Sequence, residues 1–268
     1  MKLIILSSFW LVLYSFWFTG CKGGKWYGKW FPYPPGAEVT SPVDKKPGYK
    51  GRVPMGIKNS NCDDGKTNLT VDWDKSADSY LCFYENLKDY MPDLYVQPIL
   101  QCDHIPRGYM VSSNNPEHYC MHTSIVYRDD VPTFGGHRPL WPRYGEYQYL
   151  PPQRWLHSLE HGAIVMLYHP CADPQEINKL KGIVTNCLYR HIITPYNKLQ
   201  SQRPFALVTW GCKLMMSKVD HKIAKEFIMT SALQGPEKVS TDGQFDYALL
   251  RHAKILTDEN DSTICPEI

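Results

Sequence analysis

The 268-residue sequence carries almost no net charge: 29 Lys and Arg against 27 Asp and Glu leave a formal +2. That balance excludes a strongly basic nucleic-acid binder and a disordered acidic tail. No two cysteines stand in a CxxC or CxC spacing, which argues against thioredoxin-like redox chemistry and cysteine-rich zinc knuckles. There is no G-x-S-x-G elbow, and no glycine-rich run opens a helix carrying Lys-Ser or Lys-Thr. Serine hydrolase chemistry and a phosphate-binding loop are therefore not indicated. The 21 prolines and 18 glycines follow no period, which excludes collagen and solenoid repeats. Beyond the first twenty residues no segment approaches 18 uninterrupted apolar residues, so no membrane span is expected past the N-terminal signal.

What is present points to export. Lys2 precedes an apolar run from Leu3 to Phe18 and then the small pair Thr19 and Gly20, the layout of a secretory signal peptide over residues 1–20. The run is short for a membrane span, which takes about 20 residues, although Lys22, Lys25 and Lys29 follow closely. The expected location is outside the cell or in the secretory lumen, with a tether if the segment is retained. Phe18-Thr-Gly-Cys21 is a loose match to a lipoprotein signal. Nine cysteines become eight if Cys21 leaves: Cys62, Cys82, Cys102, Cys120, Cys171, Cys187, Cys212 and Cys265. Eight suit four disulfides, and spacing alone leaves the connectivity open; Cys102–Cys120 is the expected local pair. Asn68-Leu-Thr70 and Asn260-Asp-Ser262 are N-glycosylation sequons.

Residues 21–60 read as an extended Pro/Gly/Lys-rich leader, and 61–268 as a single domain. Residues 98–152, dense in Pro, Gly and His, read as a long ordered loop region stapled by Cys102 and Cys120. Ala163–Tyr168 and Phe205–Trp210 are continuous apolar runs rich in β-formers, bounded by Gly or Pro: central buried strands. Helical spacing follows Asp173-Pro174 through Ile177, Leu180, Ile183, Val184 and Leu188, and recurs over Ser217–Ala232. It is weaker over Asp242–Leu256. The fold class is α+β: a small buried sheet with flanking helices.

One motif concentrates the chemistry. His157-Ser-Leu-Glu160-His161 sets two imidazoles four residues apart on one side of a helix, where they can chelate one ion. Gly162 stands where a glycine ends a helix, and a strand follows at once. Six of the ten histidines fall between 104 and 161: His104, His118, His122, His137, His157 and His161. His118 and His122 flank Cys120 and read as ligands or surface residues. Such clustering favours a metal site over isolated core histidines.

Asp103-His-Ile-Pro-Arg-Gly108, Val131-Pro-Thr-Phe-Gly-Gly-His137-Arg-Pro139, Tyr144-Gly-Glu-Tyr147, Leu156-His-Ser-Leu-Glu-His-Gly162 and Val208-Thr-Trp-Gly211 occur in one order. They resemble an exported family of unknown function that includes the animal tumor protein p53-inducible protein 13, over a core of about residues 100–215. The resemblance implies a site at His104, His137, His157 and His161, with Glu160 orienting an imidazole N–H rather than binding the ion. An imidazole-rich, thiolate-free set suits Zn or Cu and poorly suits Ca or Mg. Met110, Met121 and Met166 read as core or surface residues before axial ligands.

The main functional reading is a secreted or lumenal metal-binding domain with a histidine-rich Zn or Cu site. A second is an extracellular protein-interaction module whose histidines are structural, with an extracellular protein as partner. A third takes His157–His161 as the H-x-x-E-H order of an inverted zincin, with Glu160 as general base and Glu237 as distant ligand. Against the third, a zincin helix continues through its motif, whereas Gly162 and a strand follow here.

Overall fold

A strand that is apolar at every position needs cover on both faces, and the two apolar runs obtain it at the centre of a seven-stranded mixed sheet. The computed structural model describes residues 53, 55–83, 87, 89–105, 109, 117–237 and 239–267. In chain order the elements are β1 (Ile99–Cys102), β2 (Gly145–Tyr147), α1 (Pro152–Glu160), β3 (Ile164–Tyr168), α2 (Pro174–Thr185), β4 (His191–Pro195), β5 (Phe205–Thr209), β6 (Cys212–Met216), α3 (His221–Ser231) and β7 (Leu249–His252), with 3-10 turns at Leu69–Val71 and Ala77–Ser79. The sheet order is β1-β6-β5-β3-β4-β2-β7. β4 runs parallel to both β3 and β2, and the remaining pairs are antiparallel. The fold is α+β.

Alternate residues of β3 divide between two cores. Ile164 and Met166 join Leu180, Ile183 and Val184 of α2 and Phe227 and Ile228 of α3 on one face. Val165 and Leu167 face the other way, into a core with Trp155, Leu156 and Leu159 of α1. Each such aliphatic side chain contributes about 1.5–3 kcal/mol by leaving water. The helix ends follow local chemistry. The Asp173 carboxylate accepts from the Gln175 and Glu176 N–H groups at 2.8 and 3.0 Å, and Pro174 opens α2; Asp220 caps α3 through the Ile223 N–H. Gly162 ends α1 at φ +83°, and a Cβ there would sit 2.7 Å from the Leu233 Cα. Only glycine fits that left-handed, crowded position, which turns the chain straight into β3.

Three expectations are corrected. Residues 242–256 form no helix. The Asp242 carboxylate accepts from the Tyr144 N–H, the Phe245 N–H donates to the Trp141 carbonyl, and β7 then pairs with β2, so tertiary bonds override a weak periodicity. The 98–152 stretch is not wholly loop, because it supplies β1 and β2. Nor do Cys102 and Cys120 pair with each other. Cys102 sits opposite Cys212 across the β1–β6 ladder and bonds to it, while Cys120 reaches Cys62, whose carbonyl accepts the Met121 N–H at 2.9 Å. The other bonds are Cys82–Cys171 and Cys187–Cys265. Four disulfides suit an oxidising, extracellular or secretory environment. The signal region 1–20, most of the leader, Cys21 and Met110 lie outside the described residues. Among the described residues no helix is long and apolar enough to cross a membrane.

Candidate metal centre

Helix α1 brings one end of the site into the interior. Pro152 starts it with a fixed φ, and nearly all its residues are buried, including His157 and Glu160 near its C-terminus. His157 and Glu160 are three apart and so share a face. Opposite them runs the loop 131–140, whose His137 is fully buried. His118 is joined to that loop by a short parallel bridge: the Tyr119 N–H donates to the His137 carbonyl at 2.9 Å, and the His137 N–H to the Glu117 carbonyl at 3.0 Å.

These four side chains converge. One ring nitrogen each from His118, His137 and His157 and one Glu160 oxygen all lie within 4.8 Å of one another. The His118 and His137 Nε2 atoms are 2.9 Å apart. A Glu160 oxygen (Oε2) stands 3.0 Å from His137 Nε2 and 3.7 Å from His118 Nε2. Four ligands held tetrahedrally at about 2.0–2.1 Å sit roughly 3–4 Å from each other, so these separations bracket the geometry of a single ion. The His118 side chain is 16% exposed, against 0% for His137 and 1% for Glu160. His118 therefore marks the side of the cluster that faces solvent.

The outer nitrogens fix the tautomers. His137 Nδ1 lies 2.8 Å from the Gly135 carbonyl and His157 Nδ1 lies 2.6 Å from the Arg138 carbonyl. A carbonyl only accepts, so both Nδ1 atoms carry the proton, and in the neutral ring each Nε2 presents a lone pair. His157 Nε2 is buried without a hydrogen-bond partner, as is Glu160 Oε1. His118 Nε2, 2.9 Å from His137 Nε2, can donate to that nitrogen, but the His157 lone pair and the Glu160 carboxylate are buried acceptors that no donor answers, an arrangement that costs free energy unless a cation sits among them. Carbonyl-anchored imidazoles are also how proteins orient histidine ligands toward a metal.

Electrostatics agrees with this arrangement. Burial lowers the pKa of His137, offset in part by Glu160, and places His157 well below the ordinary imidazole value, with the neighbouring histidines adding to the effect. Burial pushes the Glu160 carboxyl up, but His118 and His137 in their protonated forms outweigh it and hold the group at about 2, so the carboxylate is answered only when positive charge stands beside it. The cluster is three imidazoles and a carboxylate, a set for a divalent transition metal rather than Ca or Mg.

The group differs from the sequence expectation in two members. His137 and His157 are in it, and Glu160 stands among the ligand atoms rather than behind them. His118 is present, whereas His104 and His161 are not part of the group. His104 is exposed in the stretch after β1, whose Asp103 N–H donates to the Gly211 carbonyl at 2.7 Å. His161 caps the end of α1; its Nε2 stands 3.3 Å from Glu237 Oε2, and its ring centroid is 4.8 Å from that of His157. Trp141 packs on both rings, 5.0 Å from His157 and 4.6 Å from His161. Met121 accepts from Arg154 and Met166 lies in the core. Asn68 and Asn260 are both exposed.

Residues 118–243 match the family model described as a protein of unknown function (DUF3105). The matched domain opens at His118 and holds all four members of the cluster, while His104 lies before it. No curated protein and no solved structure matches the chain.

Proposed function

We propose that this protein is a metal-binding domain of the extracellular space or secretory lumen, holding one Zn(II) or Cu(II) ion on His118, His137, His157 and Glu160. The observation that carries the reading is the pair of carbonyl-anchored imidazoles, His137 and His157, whose free nitrogens are turned toward the Glu160 carboxylate in a buried space. Three of the four ligands are closed off from solvent, which suits a retained ion more than a freely exchanging one. Cleavage of a signal peptide, glycans on Asn68 and Asn260, and kinship with the p53-inducible branch of the family belong to the same proposal. They are supported by the apolar N-terminal run, the two exposed sequons and the motif order quoted above.

Protein purified without a histidine tag and assayed for bound metals tests the reading. About one Zn or Cu per chain is expected, with His157→Ala and His137→Ala each losing most of it. Equal metal content in wild type and both variants would remove the reading. Trp141 offers a second readout, because a paramagnetic Cu(II) ion near His157 should quench its fluorescence.

A protein-interaction role has its own observation. Between residues 81 and 100 the apolar side chains Leu81, Phe83, Met91, Leu94, Tyr95 and Leu100 are each more than half exposed. Such a set of exposed apolar side chains suits an extracellular protein partner. The peptidase reading gains nothing comparable: Glu237 faces His161, but neither joins the four-residue group.

A further inference from the structure

The four ligands are not held alike. His157 and Glu160 ride on α1, and His137 is fixed by its ring bond to Gly135 and by the Arg138 N–H, which donates to the Gln153 carbonyl at 2.8 Å. His118 is different: it lies on an irregular segment, is partly exposed, and reaches the cluster by two backbone bonds to residue 137. Two residues further on, that segment is joined covalently to Cys62. Asp63, next to Cys62, is buried and receives both terminal nitrogens of Arg154. Arg154 belongs to α1, three residues before His157 and so on the neighbouring turn, and also donates to the Met121 sulfur at 3.2 Å.

These links close a ring: α1 through Arg154 to Asp63 and Cys62, across the disulfide to Cys120, back to His118, and through the ion to His157 and Glu160 on α1 again. We infer that the Cys62–Cys120 disulfide is the positioning element for His118, the ligand on the solvent side of the cluster. Neither sulfur binds the ion. The covalent link fixes where the His118 segment meets the helix that carries the other ligands, and so makes the site four-coordinate from protein alone. Without it, His118 is held through its bridge to residue 137 and through Arg138, which donates to the Tyr119 and Cys120 carbonyls. The inference rests on the metal reading above.

A double-mutant cycle in the full chain tests it, using Co(II) as the probe because its visible absorption reports coordination number. The variants are His118→Ala, Cys62→Ser with Cys120→Ser, and all three changes together; Cys102→Ser with Cys212→Ser is the control, a disulfide at the β1–β6 sheet edge. Removing the Cys62–Cys120 bond should weaken Co(II) binding by roughly 10–100-fold, as loss of a ligand's support does. It should also shift the spectrum as His118→Ala does, and have no further effect in the His118→Ala background. The control should leave affinity and spectrum as in wild type. Additive losses, or an unchanged spectrum in the variant lacking the Cys62–Cys120 bond, overturn the positioning role while leaving the metal site standing. Wild-type protein that takes up no Co(II) or Zn(II) overturns both. If the disulfide variant does not fold, Arg154→Lys carries the test, since it loosens the same ring from the helix side with the disulfide intact. It too should weaken binding in wild type but not in His118→Ala.

Discussion

The two faces of helix α1's neighbourhood are built on opposite terms. Toward β3 and β5, Trp155, Leu156 and Leu159 share one hydrophobic core with Val165, Leu167, Ala206 and Val208, in which the Trp155 indole N–H is a buried polar atom without a partner. Toward the 117–141 segment the buried groups include the polar and charged side chains of His137, Arg138, Arg154, His157 and Glu160. The first region depends mainly on shape and volume. The second needs a partner for every polar atom, and it divides again. Arg138 has Asp72 with the Tyr119 and Cys120 carbonyls, and Arg154 has Asp63, so their charges are answered within the protein. The imidazole–carboxylate cluster is left with unpartnered acceptors. A paired buried charge is costly to break because its partner is left uncompensated, whereas unpartnered buried acceptors are the feature on which the proposed ion site rests.

That comparison can be broken at its strongest point first. Arg154→Ala leaves Asp63 buried and uncompensated, and should cost about 3–5 kcal/mol in denaturant unfolding. In the apolar region, Leu167→Ala should cost about 2–5 kcal/mol through lost burial and the cavity left behind. In the cluster the sign should reverse. Glu160→Gln supplies a donor where acceptors crowd, so metal-free protein should gain about 1 kcal/mol while metal affinity falls. A Glu160→Gln protein that is less stable without metal would show that the cluster is ordinary packing.

Acid sharpens the contrast from elsewhere in the sheet. Burial lowers the pKa of His169 to about 4, and lowers that of His191 as well. His169 stacks on Tyr90 at 3.6 Å, and His191 donates from Nδ1 to the Leu188 carbonyl. Both rings are held neutral, so the unfolded chain binds more protons than the folded one once pH drops below the ordinary imidazole value. Stability should be flat above about pH 6.5 and fall progressively toward pH 4, and a denaturation series at several pH values measures it. The smallest effect is expected at the surface. Asn68→Gln and Asn260→Gln should each change stability by less than about 0.5 kcal/mol, and should lower the mass of protein secreted from a glycosylating host.

What could be read from the sequence was what is local. The helix ending at Gly162 and the strand after it lie within one short stretch, Pro152 to Tyr168, so the caps and the apolar run sufficed, and His157 and Glu160 came with them. β3 and β5 were legible because strands covered on both faces are apolar at every position. His118 was not legible as a member of the group: it lies 39 positions before His157, and the bridge to His137, the Arg138 bonds to the Tyr119 and Cys120 carbonyls and the disulfide to Cys62 bring it near. Its one signal was membership of the histidine-rich stretch, which it shared with exposed His122. His161 stands outside the group for a related reason. Spacing of four places two rings on one side of a helix, but α1 stops at Glu160, and the last ring turns toward Glu237 instead. The disulfides were beyond local reading, with partners 58 to 110 residues apart.

The central claim is that one ion is held by three imidazoles and one carboxylate, and X-ray absorption spectroscopy of the Zn-loaded protein tests it most directly. The account predicts four nitrogen or oxygen neighbours at about 2.0–2.1 Å, with the outer-shell scattering of three histidine rings, reduced to two in His118→Ala. A sulfur neighbour at about 2.3 Å, or a shell of water without imidazole scattering, would contradict it.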